Sequence, residues 1–198
     1  MIIKNYFNRK PNLNINFSNE LIVSPCDSRI KRIRQIKNGI IFGKGNEIKL
    51  ESILKNETKF FDNGVYINQY LAPYNIHSVY FPCNGKIITD LYCNSKKSYP
   101  VLYDRRGEIE NERLVSFIET DYGFNIGMIM IGSIIPLWNK KIGIEKGYVV
   151  NQIYKKGDYY GRFTLGSTVI LLFPENKVKM LINENQCVKI GESIAKLK

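Results

Sequence analysis

"RFTLGSTVILLF", residues 162–173, holds the contrast that decides how this chain is read. Val169 to Phe173 is β-branched and apolar throughout, the composition of a strand covered on both faces. A polar Gly166-Ser167-Thr168 step interrupts it at its mouth. Outward from there, strand signals dominate: "LIVSPCDSRI" (21–30), "GIIFGKGNEIKL" (39–50), "HSVYFPCNGKIITDLY" (77–92), "RLVSFIETDYG" (113–123), "IGMIMIGSII" (126–135) and "GYVVNQIY" (147–154). Gly, Asn, Asp and Pro punctuate these runs, and Asn63-Gly64 and Asn84-Gly85 read as hairpin dipeptides. Helical periodicity is confined to "LESILKNETKFFD" (50–62), with leucines and aromatics three to four apart. The pattern predicts a mainly β fold, α+β at most: a single compact barrel- or sandwich-like domain over 1–198, with one or two short helices.

Composition narrows the function. The chain has 198 residues, 44% of them hydrophobic and 12% aromatic, which argues for a packed core rather than disorder. Cys26, Cys83, Cys93 and Cys187 show no CxxC spacing, and with a single histidine no zinc site and no other metal is expected. Widely spaced thiols without a signal peptide suggest a reducing, cytoplasmic setting, and no apolar run is long enough to span a bilayer. The net charge of +11 admits an anionic membrane surface, nucleic acid, or a solvated basic face. "RIKRIRQIK" (29–37) alternates cations with isoleucines, as an amphipathic strand does, and no aromatic-rich RNP-type stretch accompanies it, so nucleic acid is not expected.

Two segments are alike: "SPCDSRI" (24–30) and "FPCNGKI" (81–87). The tail "VKMLINENQCVKIGESIAKLK" (178–198) carries turns of the kind found in the hammerhead hairpins of biotinyl and lipoyl carrier domains. Lys179 beside Met180 is suggestive of such a carrier, but that signature needs methionine on both sides and Val178 precedes the lysine.

Chemistry enters at Gly166-Ser167. A serine after glycine can attack the preceding carbonyl, turning amide into ester. Elimination then breaks the chain and leaves a dehydroalanine that hydrolyses to a pyruvoyl group. Glycine suits the position before the nucleophile because it has no Cβ and accepts strained backbone.

"GRFTLGSTVILLF" (161–173) closely resembles the cleavage segment of the phosphatidylserine decarboxylases, where an L/F-G-S-T motif is cut between Gly and Ser. "SPCDSRI" resembles that family's Pro-x-Asp-Gly segment, with Ser28 in place of the glycine. "YLAPYNIHSVYFPCNGKI" (70–87) is similar to its histidine segment, "NERLVSFIETDYG" (111–123) to its Asn-Glu-Arg segment, and "VKIGESIAKLK" (188–198) to its C-terminal end. These pieces run in family order from about residue 22 to the end, without the long amino-terminal extension of many bacterial members, so the chain looks like a short form.

The resemblance implies a proenzyme cut at Gly166-Ser167 into a β chain, 1–166, and an α chain, 167–198, with Ser167 becoming the pyruvoyl group that carries decarboxylation of phosphatidylserine to phosphatidylethanolamine. It makes Asp27 the acidic member of a triad and His77 the first of two family histidines. Tyr80 stands where the second, the base, should be. A phenol of ordinary pKa about 10 is a poor base at neutral pH. His77 or Tyr80 is the implied proton donor in decarboxylation. The implied setting is peripheral on an anionic membrane, with a homodimer left open. Two rivals follow: a decarboxylase-like lipid-binding or regulatory protein that never cleaves, and, less favoured, a basic nucleic-acid-binding β domain. Asn111, Glu112 and Arg113 read as a polar network at the cleft or as a cap. Tyr159 and Tyr160 read as strand surface, and Trp138 as an interfacial anchor or a core residue.

Overall fold

The apolar run of 169–173 sits at the centre of the molecule. A computed structural model describes residues 11–43, 46–54, 59–95, 99, 106–132, 143–164 and 167–198. Leu165, Gly166, Pro136, Leu137 and Trp138 lie outside the described residues. In chain order the strands are β1 (Leu21–Val23), β2 (Ser28–Gln35), β3 (Ile40–Gly43), β4 (Asn46–Lys49), β5 (Val65–Leu71), β6 (Ser78–Tyr80), β7 (Gly85–Cys93) and β8 (Arg113–Thr120). They continue as β9 (Asn125–Gly132), β10 (Ile144–Lys146), β11 (Ile153–Tyr154), β12 (Tyr159–Phe163), β13 (Ser167–Phe173), β14 (Val178–Met180), β15 (Cys187–Val188) and β16 (Ser193–Leu197). Two short helices, α1 (Leu50–Leu54) and α2 (Arg106–Glu110), complete the described elements with a 3-10 turn at Lys59–Phe61.

The expected mainly β fold is what forms, as open sheets rather than a closed barrel. Eight strands run in the order β11-β7-β8-β9-β13-β5-β2-β15, and every residue of β13 is buried between β9 and β5. One face of this sheet carries Val169, Leu171 and Phe173 into a core shared with Phe81, which follows β6, and with Val79, Ile144, Tyr160, Phe163, Ile194 and Ala195 of two three-stranded sheets, β1-β16-β14 and β6-β12-β10. The other face carries Ile170 and Leu172 against Ile41, Ile48, Leu50 and Ile53 of the β3-β4 hairpin and α1. Each fully buried Leu, Ile or Phe contributes about 1.5–3 kcal/mol, so β13 anchors both layers.

Among the described residues the helical pattern of 50–62 forms α1 and the 3-10 turn. Two local expectations are corrected. Asn84-Gly85 does not close a hairpin: it lies where the chain crosses from β6, paired to β12, to β7, paired to β8. Asn63-Gly64 is a turn leading into β5, closed by the Gly64 N–H on the Phe61 carbonyl. The basic strand is as read, with Ile30 buried and Arg29, Arg34 and Gln35 exposed.

The strand order is symmetrical about the β9/β13 pair. β7, β8 and β9, flanked by β11 and covered by β6-β12-β10, match β2, β5 and β13, flanked by β15 and covered by β1-β16-β14. The matching extends to atoms. The Val23 N–H donates to the Pro82 carbonyl and the Tyr80 N–H to the Pro25 carbonyl, at 3.0 and 2.9 Å. Asn151 and Asn185 both have φ of 67°, and Gly157 and Gly191 have φ of 87° and 84°. The sequences behind these turns, "NQIYKKGDYYG" (151–161) and "NQCVKIGESIA" (185–195), are a repeat.

One unit, β6 to β12, is continuous; the other is split by it between β5 and β13. The rung Arg29–Tyr70–Thr168 corresponds to Lys86–Glu119–Asn125. Ser167 therefore corresponds to Phe124, and Gly166 in sequence to Gly123, whose φ of +76° closes the tight β8–β9 turn. The Gly-Ser step thus stands at the seam where one unit is inserted into the other.

Lys156 breaks the symmetry usefully. It takes the place of Ile190, is 4% exposed, and its ammonium donates to the carbonyls of Asn16, Ser18 and Leu21 at 3.2, 2.7 and 2.6 Å. Burial lowers its pKa, with Cys83 acting in the opposite sense. Lys156→Met is expected to release residues 11–20 while the sheets stay folded, because the other unit tolerates isoleucine here. Hydrogen bonds to a charged group are worth about 1.5–3 kcal/mol, so amide exchange at Asn16 and Leu21 should rise at least about tenfold, with exchange in β13 unchanged.

Candidate active site

Ser167 opens β13, hydrogen-bonded in register between Leu71 of β5 and Gly132 of β9. Side chains alternate along a strand, so Ser167 shares the face of Val169 and Leu171 and points toward the small sheets. It is fully buried, and its Oγ has no hydrogen-bond partner among the described residues. A buried hydroxyl left without a partner costs about 1–3 kcal/mol, a cost more often met at functional positions than in a plain core.

Both flanks of residues 165–166 are pinned. Thr164 donates its N–H and its hydroxyl to the Gly143 carbonyl, at 3.0 and 2.9 Å. Opposite Ser167, the Gly132 N–H donates to the Glu112 carbonyl at 2.9 Å, and the Gly132 carbonyl accepts from Asn111 Nδ2 at 2.8 Å. The Glu112 carboxylate is 2% exposed and accepts from the Ile144 N–H at 3.1 Å and from the Tyr92 hydroxyl. Gly143 packs so tightly on this carboxylate that a Cβ there would collide with it. Arg113 donates instead to the Ile109 carbonyl at the end of α2 and to the Ser52 carbonyl. The Asn-Glu-Arg segment therefore is both a network, at Asn111 and Glu112, and a cap, at Arg113.

His77 reaches the same end of the sheet through a short loop. The chain leaves Leu71, the cross-strand partner of Ser167, and folds back at once: the Asn75 N–H donates to the Ala72 carbonyl at 2.9 Å, and the Ala72 N–H donates to Asn75 Oδ1 at 2.8 Å. Pro73 and Tyr74 form the tip of this turn, as proline favours. His77 follows, fully buried, with Nδ1 2.9 Å from the Asn75 carbonyl oxygen. A carbonyl only accepts, so Nδ1 carries the proton and Nε2 the basic lone pair. The His77 carbonyl in turn accepts from the Phe163 N–H at 2.9 Å, four residues before Ser167.

Asp27 and Tyr80 are placed differently. Asp27 Oδ1 accepts from the Ile190 N–H at 3.0 Å and Oδ2 pairs with Lys189 at 3.4 Å, so both oxygens face the C-terminal turn. Tyr80 packs edge-on against Tyr159, centroids 5.9 Å apart, and burial raises its pKa, with the Ser78 hydroxyl pulling the other way. Tyr159 is partly exposed, but Tyr160, read from sequence as surface, is fully buried with its hydroxyl on Ser116. Among the described residues no cluster of His, Cys, Asp and Glu could hold a metal, and no helix is long and apolar enough to cross a membrane.

The family model of phosphatidylserine decarboxylase matches residues 5–196. The chain belongs to the phosphatidylserine decarboxylase family. Phosphatidylserine decarboxylase proenzymes of Hamiltonella defensa and Wigglesworthia glossinidia brevipalpis are 30% and 32% identical to it, over 87% and 91% of this chain and 69% and 72% of theirs. That of Yersinia enterocolitica is 29% identical over 88% of this chain and 69% of its own. The glucose permease IIA from Mycoplasma capricolum superposes with a TM-score of 0.47 at 16% identity, covering 90% of this chain and 95% of that one, too distant to carry an argument. Within this decarboxylase family member, sequence reasoning missed Asn75, whose side chain closes the loop while its carbonyl meets His77, and Gly132, which pairs with Ser167 through its backbone.

Proposed function

We propose that this chain cuts its own backbone between Gly166 and Ser167 and that the resulting pyruvoyl group decarboxylates phosphatidylserine to phosphatidylethanolamine. The observation that carries the reading is the buried Ser167 hydroxyl, without a partner among the described residues, at the mouth of a central strand. The residues present suit the group: Ser167 is its source, and the face it points to is walled by Leu71, Gly132 and the small sheets. Once formed, such a group supplies an electron sink for the pair left as carbon dioxide departs. The chain's own residues exclude water around it and hold the two products together. After cleavage, residues 167–198 would still contribute β13 between β9 and β5, β15 on β2, and β16 on β1.

The net charge of +11 suits a protein that works peripherally at an anionic bilayer from the cytoplasmic side, each nearby Lys or Arg being worth about 1 kcal/mol there. The test uses the purified full-length chain with vesicles that contain or lack phosphatidylserine. Phosphatidylethanolamine should accumulate only in the former, and flotation should weaken as salt rises. A chain that stays at 23.0 kDa by intact mass, with no phosphatidylethanolamine formed, would sink the reading. Binding that is indifferent to salt and lipid charge would remove the membrane part alone.

A further inference from the structure

We infer that self-cleavage in this chain runs on one histidine: His77, held by the Asn75 carbonyl, takes the Ser167 proton, while the Asp27 carboxylate serves the fold rather than the base. The inference rests on the self-cleavage reading and specifies its machinery.

The first support is the internal repeat. Asp27 Oδ1 accepts the Ile190 N–H at 3.0 Å, and in the other unit Asn84 Oδ1 accepts the Lys156 N–H at 2.9 Å. Asp27 and Asn84 follow Cys26 and Cys83 in the two like segments, and each bridges to the glycine turn of its own unit. One unit makes the bond with an uncharged side chain, so what the fold asks of residue 27 is an acceptor oxygen. The remaining carboxylate oxygen pairs with Lys189 at 3.4 Å.

The second support is that His77 is already oriented. An acidic partner in a triad fixes the imidazole tautomer and aims its basic nitrogen. Here a backbone carbonyl does the first, in a loop locked by the reciprocal Ala72–Asn75 bonds. The loop starts at the cross-strand partner of Ser167 and ends on the strand that leads into it, so His77 is tied to the seam from both sides. Ser167 is the fourth residue after Phe163, about 14 Å of chain when fully extended. Tyr80, by contrast, pairs with Tyr159, a further four residues back, and its phenol is held in the neutral form by burial.

The steps balance. Ser167 Oγ loses its proton to His77 Nε2 and bonds to the Gly166 carbonyl carbon. The imidazolium returns the proton to the Ser167 nitrogen as the C–N bond breaks, which leaves an ester and a free amine. The regenerated imidazole removes the Cα proton of residue 167, and the Gly166 carboxylate departs from Cβ. Water then hydrolyses the resulting dehydroalanine, which releases ammonia.

The experiment follows conversion of the full-length precursor to two chains by mass, so it needs no decarboxylase assay. Asp27→Asn, Tyr80→Phe and the double variant should each cleave within about threefold of the parent and with an unshifted pH–rate profile. His77→Gln should slow cleavage by about 10²–10⁴, the usual worth of a general base, while melting near the parent temperature. A folded Asp27→Asn/Tyr80→Phe precursor that stays intact beside a cleaving parent would overturn the inference, as would His77→Gln cleaving at the parental rate. A parent that never cleaves would overturn the self-cleavage reading itself, and the inference with it.

Discussion

Ser167→Ala is expected to leave a single 23.0 kDa chain under conditions in which the parent separates fully into residues 1–166 and 167–198. The effect is all or none, because the substitution removes the hydroxyl oxygen that would attack the Gly166 carbonyl and later leave as part of an ester. The structure adds a second expectation that distinguishes this loss from a folding defect. Ser167 Oγ is buried without a partner among the described residues, so its removal relieves a desolvation cost and takes no hydrogen bond from them. The methyl of alanine keeps the packing against Leu71 and Gly132. The variant should therefore melt at or slightly above the temperature of an uncleaved parent. A lower melting temperature, by several degrees, would show that the hydroxyl has a structural partner and would weaken its identification as a nucleophile. Two cleaved fragments from Ser167→Ala would place the nucleophile elsewhere.

What the sequence made legible is what repeats or alternates locally. The β-branched run of 169–173 announced a doubly covered strand, and β13 is buried along its whole length. The cation–isoleucine alternation of 29–37 announced a half-wet strand, and the likeness of "SPCDSRI" to "FPCNGKI" was the visible end of a two-unit fold. The longer repeat, 151–161 against 185–195, keeps only Asn, Gln, Lys and Gly identical. Those residues are set by backbone demands, positive φ at Asn and Gly, while the side chains between them answer to different cores.

The misreadings have the opposite origin. Asn63-Gly64 and Asn84-Gly85 have hairpin composition, but the first joins a 3-10 turn to β5 and the second joins strands of two different sheets, a fact carried by pairing partners tens of residues away. Tyr160 looked like surface because its strand is short and polar-flanked, yet β12 lies over the first core and its hydroxyl is satisfied by Ser116, 44 residues earlier. The site shows the same limit. Ser167 and His77 were named by type and motif, whereas the tautomer of His77 and the partners of Asp27 are decided by a carbonyl and a turn that no residue type encodes.

Gly64→Ala is expected to be strongly damaging, with the tightest backbone clash among the described glycines. A Cβ at Gly64 would overlap the Phe173 carbonyl oxygen and lie 2.9 Å from the Phe61 carbonyl oxygen. Both are backbone atoms, so no rotamer change relieves the clash; the last residue of β13 or the turn into β5 must move. Phe173 and Phe61 are both fully buried, one in each core, and a shift at this point loosens the two layers together. A cost on the order of 3–5 kcal/mol follows, a large share of the 5–15 kcal/mol that holds a typical domain. Gly123→Ala provides the contrast. Nothing lies within 4 Å of a Cβ there, but its φ of +76° is left-handed, so the cost is conformational only, roughly 1–2 kcal/mol. Urea denaturation of both variants on the Ser167→Ala background, where every molecule is one chain, separates the two origins. Equal midpoints would show that Gly64 is not wedged between the Phe61 and Phe173 backbones. A much lower midpoint for Gly64→Ala, with that of Gly123→Ala near the parent, is the result this packing requires.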